Sequence, residues 1–162
     1  MKEFFMKEKA KNFMQIAIEF SLNSVKNRGG PFGAVVVKDG KIIAKASNTV
    51  TLDNDPTAHA EINAIRATCS ALKSFDLSGC VIYTSCEPCP MCLGAIYWAR
   101  INKIFYANSR TDAQKIGFDD SFIYNELKKS ISERSIPTIQ IMQNEAVKAF
   151  EAWEQKTDKI KY

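Results

Sequence analysis

The chain has 162 residues, of which 46% are hydrophobic and 25% charged. These values are typical of a folded globular domain and exclude a disordered or fibrous chain. The net charge is +4, spread along the sequence, which permits nucleic-acid binding without indicating it. No apolar run reaches the roughly 20 residues of a membrane span, and the start of the chain lacks the apolar block of a secretory signal. We therefore expect one cytoplasmic domain over residues 1–162, with no membrane partner.

Helices and strands alternate in the predicted elements. Apolar residues at helical spacing predict an amphipathic first helix over residues 7–26. Residues 34–38 and 41–46 are two β-branched runs joined by Asp39-Gly40, a dipeptide suited to the positive φ angles of a tight turn. This pattern predicts an antiparallel hairpin.

The second half of the chain continues the alternation. Asp55 and Pro56 provide helix-start chemistry for a helix that runs to about Ser70, and Pro90 is well placed at the first position of another helix. The remaining predicted elements are a strand at 81–84, a strand at 103–107, a helix at 121–128, a strand at 138–142 and a helix from about Asn144 that buries Val147, Phe150 and Trp153.

This order of elements predicts an α/β fold. Helices between strands cover both faces of a sheet, so we expect a three-layer α/β/α sandwich with a five-stranded mixed sheet. After the initial hairpin we expect mostly parallel pairing, including strands four and five, because the segment between those two is long enough for a crossover.

One constellation of residues carries the chemistry. The only histidine, His59, is followed by Glu61, and 30 residues later the chain reads Pro88-Cys89-Pro90-Met91-Cys92. One imidazole and two thiolates form the three-ligand set of a catalytic zinc, with the fourth position open for water. Both ligand groups lie at predicted helix starts, where the helix dipole favours thiolate. We expect one zinc ion per subunit, which lowers the pKa of water from 15.7 to about 7.

Glu61 is not needed as a ligand, and a carboxylate beside activated water is suited to moving protons as the general base and acid. Two alternatives stay open for the cysteines. Cys86 could replace one of the two ligands, or it could close the coordination sphere as a fourth ligand in a structural zinc module without turnover. Cys69 and Cys80 are expected to be buried apolar thiols.

These motifs resemble the cytidine deaminase superfamily, whose zinc signature combines His-x-Glu with a later Pro-Cys-x-x-Cys. A narrower resemblance, to bacterial guanine deaminases of this fold, is carried by GGPFGAVVVKDG, NDPTAHAE, YTSCEPCPMCLGAIYWAR, GFDDSFIY and the C-terminal Tyr. It implies zinc-dependent hydrolysis of guanine to xanthine and ammonia. The alternative is deamination of another substrate, such as guanosine, cytosine, ammeline or the adenosine of a tRNA.

The resemblance also implies roles for individual residues. Phe32 would form an aromatic wall, Asn48 and the backbone N–H of Ala60 would contact the base, and Asp120 would accept guanine N–H groups or handle a second proton. Family members form homodimers that exchange C-terminal segments, so residues 144–162 would cross to the partner subunit and Tyr162 would cap its active site. The expected ligand is therefore a small purine base, with no nucleic acid.

Each of these positions also has a purely structural interpretation. Asn48 could be a turn residue, Phe32 could fill the core and Asp120 could cap a helix. Chemistry alone does not separate Asp119 from Asp120; the matching motif selects Asp120. Trp98 lies within the matching motif but on a predicted apolar helix face, which favours a packing role. Residues 128–137 are assigned to a solvated surface.

Overall fold

The computed structural model describes residues 2–161, with side chains from residue 8 onwards. These residues form two compact units, the first ending at Asp120 and the second beginning at Ser121. The second unit contains two of the helices described below. No helix within residues 2–161 has both the length and the apolar character needed to cross a membrane.

Seven α-helices and four strands are present in the described residues. In chain order they are α1 (Lys2–Lys26), β1 (Gly33–Lys38), β2 (Lys41–Ser47), α2 (Val50–Asp53), α3 (Ala60–Leu72), β3 (Cys80–Cys86), α4 (Pro90–Trp98), β4 (Lys103–Asn108), α5 (Arg110–Lys115), α6 (Ser121–Lys128) and α7 (Gln143–Gln155). The predicted helices and the first four predicted strands are all found, with bounds that differ by a few residues.

The four strands form one mixed sheet in the order β2-β1-β3-β4. Asp39 and Gly40 have positive φ angles and close the predicted β1–β2 hairpin. The prediction of mostly parallel pairing after the hairpin is wrong for β3, which pairs antiparallel with β1, and correct for β4, which is parallel to β3. The reason is that β1 lies between β2 and β3: the α3 crossover makes β3 parallel to β2, and the strand between them is antiparallel to both.

Helices cover both faces of this sheet, as expected for three layers. Successive residues of β1 alternate between the faces. Val35 and Val37 pack with Ala17 of α1 on one side. Ala34 and Val36 belong to the core that α3 and α4 share with the sheet on the other side. Gly33 permits the close approach of α1, because a Cβ atom there would lie 2.3 Å from the carbonyl oxygen of Ala17.

The second unit differs from the prediction in two ways. Residues 138–142 were expected to form a fifth strand, yet within residues 2–161 they pair with no strand, and Ile139 and Ile141 are 80% and 75% exposed. Helix α7 forms as predicted, but Val147, Phe150 and Trp153 are exposed in this chain and not buried. A unit with so few elements has no second layer against which to bury both an apolar strand and an apolar helix face.

Candidate active site

The three predicted metal ligands meet in space. His59, Cys89 and Cys92 place their donor atoms within 4.8 Å of one another, and His59 Nδ1 lies 3.6 Å from Cys89 Sγ and 3.5 Å from Cys92 Sγ. A tetrahedral zinc ion with Zn–S bonds of about 2.3 Å and Zn–N bonds of about 2.0 Å separates nitrogen and sulfur by roughly 3.5 Å. The donor set therefore fits zinc both in chemistry and in spacing.

Two helix starts bring these ligands together. His59 is the N-cap residue of α3 and Cys89 is the N-cap residue of α4, each with extended backbone angles, and neither side chain caps its own helix. Pro90 occupies the first turn of α4, where its missing N–H costs nothing. The positive ends of two helix dipoles thus point at the ligand group, which favours thiolate sulfur.

The electrostatics of the two cysteines differ. A hydrogen bond from Cys92 lowers the pKa of Cys89 to about 4, assisted by His59, whereas the same bond together with burial raises the pKa of Cys92. The hydrogen bond to Cys89 also raises the pKa of His59. One of the two cysteines is therefore readily held as a thiolate, and a cation bound between them would favour deprotonation of the other.

Cys86 does not join this group. Its Sγ donates to the carbonyl oxygen of Ser109 at 3.6 Å, and burial raises its pKa to about 11. Among the described residues, the donor atoms that lie within 4.8 Å of one another are those of His59, Cys89 and Cys92, and the Cys86 sulfur is not one of them. Of the alternatives open from the sequence, this geometry favours Cys89 and Cys92 as the residues that would hold the metal.

Glu61 lies next to the ligand group without belonging to it. It is the second residue of α3, its side chain is buried, and its Oε1 accepts a hydrogen bond from the hydroxyl of Thr84 at 3.3 Å. Burial raises the pKa of this carboxyl. A buried carboxyl group that holds its proton more strongly than usual is suited to general acid and base catalysis.

A pocket of about 320 Å³ opens above these residues, at the small end of the range for ligand sites. Its floor is formed by His59, Glu61 and Cys89, with Cys92 fully buried among the ligand atoms. Its wall is formed by Phe32, Asn48, Phe118 and Asp120. The remaining lining residues are Cys86, Glu87, Arg110, Ala113, Gly117 and Asp119.

Hydrogen bonds and ring packing fix the wall. The backbone N–H of Asn48 donates to the carbonyl oxygen of Phe32 at 3.0 Å, and the side-chain Oδ1 of Asn48 accepts from the N–H of Val50 at 3.3 Å. The rings of Phe32 and Phe118 pack edge to face with centroids 4.9 Å apart. A flat apolar surface thus stands beside an oriented amide, an arrangement suited to a planar ligand with polar edges.

The two neighbouring aspartates both line the pocket but have different surroundings. Asp119 is exposed and accepts a hydrogen bond from the side-chain amide of Gln114 at 3.2 Å. Asp120 is half-buried, and burial, reinforced by the charge of Cys89, raises its pKa. The more buried carboxyl group is the one that the motif selects.

Most predicted site residues converge on this pocket. Phe32, Asn48, His59, Glu61, Cys89 and Asp120 line it. Ala60 is fully buried beside His59 and is not a lining residue, and Tyr162 lies outside the described residues. Trp98 is 68% exposed at the end of α4 and is absent from the pocket lining, so its predicted place in an apolar core is wrong within this chain.

Several residues that line the pocket were not predicted from the sequence. Glu87 lies inside the cysteine motif, and Gly117 and Phe118 lie inside the GFDD motif, so the motifs themselves held the signal. Arg110 and Ala113 belong to α5, a helix that was not predicted. Its signal was the capping box formed by Ser109 and Asp112, three residues apart.

Comparisons with known proteins identify the family of this chain. A family model of the cytidine and deoxycytidylate deaminase zinc-binding region matches residues 7–108. The guanine deaminase of Bacillus subtilis is 53% identical over 151 residues, which are 93% of this chain and 97% of that protein. The tRNA-specific adenosine deaminase of Aquifex aeolicus is 40% identical over 95 residues, 59% of this chain and 63% of that protein.

Solved structures give the same result. The X-ray structure of Bacillus subtilis guanine deaminase matches with a TM-score of 0.91 at 52% identity, covering 94% of this chain and 98% of that one. A guanine deaminase from Nitrosomonas europaea matches with a TM-score of 0.64 at 34% identity, covering 67% and 63%. With its His59, Cys89 and Cys92 cluster inside the matched region, the chain belongs to the zinc-binding cytidine and deoxycytidylate deaminase family.

Proposed function

We propose that this protein is a zinc-dependent hydrolase that converts guanine and water to xanthine and ammonia. The observation that carries the proposal is the pocket itself: a zinc-ligand set and a buried carboxyl group form its floor, and an aromatic wall with two polar side chains stands above them. The extended similarity to a guanine deaminase, over 97% of that protein, supports the choice of base.

The floor residues divide the chemistry between them. His59, Cys89 and Cys92 hold the zinc ion, which when bound activates water as a nucleophile at neutral pH. Glu61 accepts the proton of the attacking water and passes it to a ring nitrogen of guanine. As that proton is transferred, a C–O bond forms at C2. Glu61 then takes the remaining proton of the added hydroxyl group and gives it to the amino group, so that the C2 carbonyl forms, the C2–N bond breaks and ammonia leaves.

The wall residues orient the base. Phe32 packs against the ring, while Asn48 and the backbone N–H of Ala60 form hydrogen bonds with its polar edge. Asp120 accepts N–H groups of guanine or moves a second proton. Convergent polar groups of this kind, inside a mostly apolar pocket, give specificity for one hydrogen-bonding pattern.

The charge of the pocket favours a free base over a polynucleotide. Its lining includes four acidic residues, Glu61, Glu87, Asp119 and Asp120, and one arginine, Arg110. Phosphate backbones bind proteins through clustered Lys and Arg residues. We therefore propose that a small purine base is the ligand and that nucleic acid is not a partner, even though some relatives are tRNA-specific deaminases.

The deciding experiment compares substrates on zinc-loaded protein. Ammonia release is measured with guanine, guanosine, cytosine, ammeline, adenosine and tRNA, and xanthine formation is followed separately for guanine. We expect kcat/KM for guanine to exceed that for the others, by as much as about 10⁴-fold for bases with a different hydrogen-bonding pattern. Turnover of tRNA or cytosine without turnover of guanine would replace the proposed substrate.

We also propose that the protein is a homodimer that exchanges its C-terminal segment, with residues 138–142 as a fifth strand beside β4 of the partner. Within the described residues β4 pairs only with β3, so its other edge is open. Beside α1, a groove of about 480 Å³ is lined by Phe13, Tyr83 and Phe105. Several exposed residues of α7 are apolar, as are the aromatic rings that line this groove. The open edge of β4 could pair with residues 138–142 of the partner.

Two singly altered subunits test the exchange. In a heterodimer of an Asp120→Asn subunit and a subunit lacking Tyr162, exchange gives one pocket with both Asp120 and the partner's Tyr162. Mixed and refolded subunits should therefore be more active than either parent dimer, with up to about a quarter of all pockets intact for random pairing. If Tyr162 acts within its own subunit, no pocket is restored and mixing gives no gain.

A cytoplasmic location belongs to the same proposal. All five cysteines are free thiols in the structure, and two of them must stay reduced to bind zinc. Free thiols of this kind persist in the reducing environment of the cytosol.

A further inference from the structure

Thr84 connects the cysteine loop to the catalytic carboxyl group. It lies in β3 opposite Ala34 of β1, and its side chain is 2% exposed. Its Oγ1 is 2.7 Å from the carbonyl oxygen of Cys86 and 3.3 Å from Oε1 of Glu61. Cys86 is the last residue of β3, after which the chain enters the loop that carries Cys89. One hydroxyl group therefore contacts both the strand end and Glu61.

The chemistry of threonine suits this position. A hydroxyl group has one proton and two lone pairs, so Thr84 can donate to the Cys86 carbonyl while it accepts from a protonated Glu61, or turn to donate to the ionised Glu61 carboxylate. Threonine is also β-branched, which restricts its χ1 angle and keeps the hydroxyl in one place within a packed strand. Burial of both Thr84 and Glu61 keeps competing solvent away from their contact.

We propose that Thr84 is a positioning residue that holds the Glu61 carboxyl group in the direction needed for proton transfer. The inference rests on the role of Glu61 in the proposed function. Thr84 is not among the residues that line the described pocket, so it acts through Glu61 and not on the base.

The contact predicts a specific kinetic effect. A general base works only within hydrogen-bond reach of the proton it takes, about 2.6–3.2 Å between heavy atoms. A misplacement of about 1 Å can reduce the rate by about 10²-fold. Loss of the Thr84 hydroxyl should therefore lower kcat, whereas KM should stay near its original value because the wall residues are unchanged.

Three variants test the role. Thr84→Val removes the hydroxyl and keeps the shape, and Thr84→Ser keeps the hydroxyl. The matched control is Thr68→Val in α3, because Thr68 is also fully buried and its hydroxyl donates to a backbone carbonyl, that of Ala64, at 2.7 Å. For each variant, kcat, KM, zinc content and Tm are measured with whichever base the wild-type protein deaminates, so that failure of guanine as substrate is a separate result.

We expect Thr84→Val to lower kcat by about 10-fold or more with KM changed less than about 2-fold and zinc fully retained. Thr84→Ser should recover most of the lost kcat. Thr68→Val should keep the kcat of the wild type while its Tm falls by about as much as that of Thr84→Val. Should Thr84→Val be too unstable to purify, a kcat of Thr84→Ala close to wild type would overturn the proposal. An equal loss of kcat in Thr68→Val would also overturn the proposal, and so would a change in the KM of Thr84→Val without a change in its kcat.

Discussion

The floor of the pocket lies at two helix starts and is largely buried, whereas its wall is collected from loops and strand ends. His59 and Glu61 sit within the start of α3, and Cys89 and Cys92 within the start of α4. Phe32 precedes β1, Asn48 follows β2, and Phe118 and Asp120 lie between α5 and α6. Rigid elements therefore hold the groups that we propose take part in the reaction, and loops hold the groups that we propose contact the base.

The floor and the wall are suited to two different functions, metal binding and recognition of the base. A metal site tolerates little movement, because its donor atoms must keep fixed distances, and helix starts provide that rigidity along with a favourable dipole. Specificity for a base depends on a few hydrogen bonds that loops can change without disturbing the metal. Floor variants should therefore remove the reaction, while wall variants should weaken or redirect it.

The largest effect is expected for Cys89→Ala. Loss of one of three ligands should release the zinc ion, and activity should fall by more than about 10⁴-fold because water then returns to a pKa of 15.7. Zinc content by elemental analysis and deamination rate are measured together. Cys86→Ala is the matched control, since it makes the same change in the same pocket and should keep the metal. Equal zinc loss in both variants would make Cys86 a ligand and favour a structural zinc module.

The next largest effect is expected for Glu61→Gln, which leaves the ligand group intact and removes the carboxyl group that we propose moves protons. Proton transfer by a positioned side chain contributes about 10² to 10⁴-fold, and since Glu61 acts more than once in the proposed mechanism we expect a loss near or beyond the upper figure. Zinc content should be unchanged. Wild-type turnover in this variant would exclude the mechanism.

Glu87→Gln provides the comparison for Glu61→Gln within the same pocket. The Glu87 carboxylate accepts the backbone N–H of Arg110 at 3.1 Å and so supports the start of α5. We expect kcat to stay within about 10-fold of wild type, because a neutral amide oxygen can still accept that hydrogen bond. Equal losses in the two variants would show that the charge of the pocket matters more than proton transfer by Glu61.

Local sequence signals allowed the floor of the pocket to be predicted. The orientation of β3 and the state of residues 138–142 have no such local signal and differ from the prediction. His59, Glu61 and the two cysteines lie in short motifs, and Pro90 marks a helix start within a few residues. The orientation of β3 depended on which strand lay beside it, a non-local fact that chain order does not contain. Residues 138–142 have the composition of a strand, but a strand exists only when a partner is paired with it.

The residues of the pocket wall also could not be selected from local sequence patterns alone. Phe32, Asn48 and Asp120 each have an ordinary structural interpretation, and only the family resemblance selected them before the structure placed them around one pocket. Phe118 lies inside the GFDD motif, but only its edge-to-face contact with Phe32 gives it a place in the wall. Residues that converge from distant parts of the chain leave no periodic signature.

A smaller effect than those of Cys89→Ala and Glu61→Gln is expected for Asp120→Asn, a change in the wall. A hydrogen bond to a charged group contributes about 1.5–3 kcal/mol, so kcat/KM for guanine should fall by roughly 10 to 10²-fold while zinc content stays unchanged. If the contribution is to binding, the loss appears in KM; if Asp120 moves a second proton, it appears in kcat. Steady-state kinetics over a range of guanine concentrations separates the two.

Asp119→Asn is the matched control, because it makes the same substitution one residue earlier on the same loop. Its carboxylate is exposed and already accepts the amide of Gln114, so kcat/KM should change by less than about 3-fold. A larger loss in Asp119→Asn than in Asp120→Asn would reverse the assignment of the two neighbours. Equal small losses would remove both from base recognition and leave specificity to Phe32 and Asn48, since the floor does not distinguish one amino-substituted base from another.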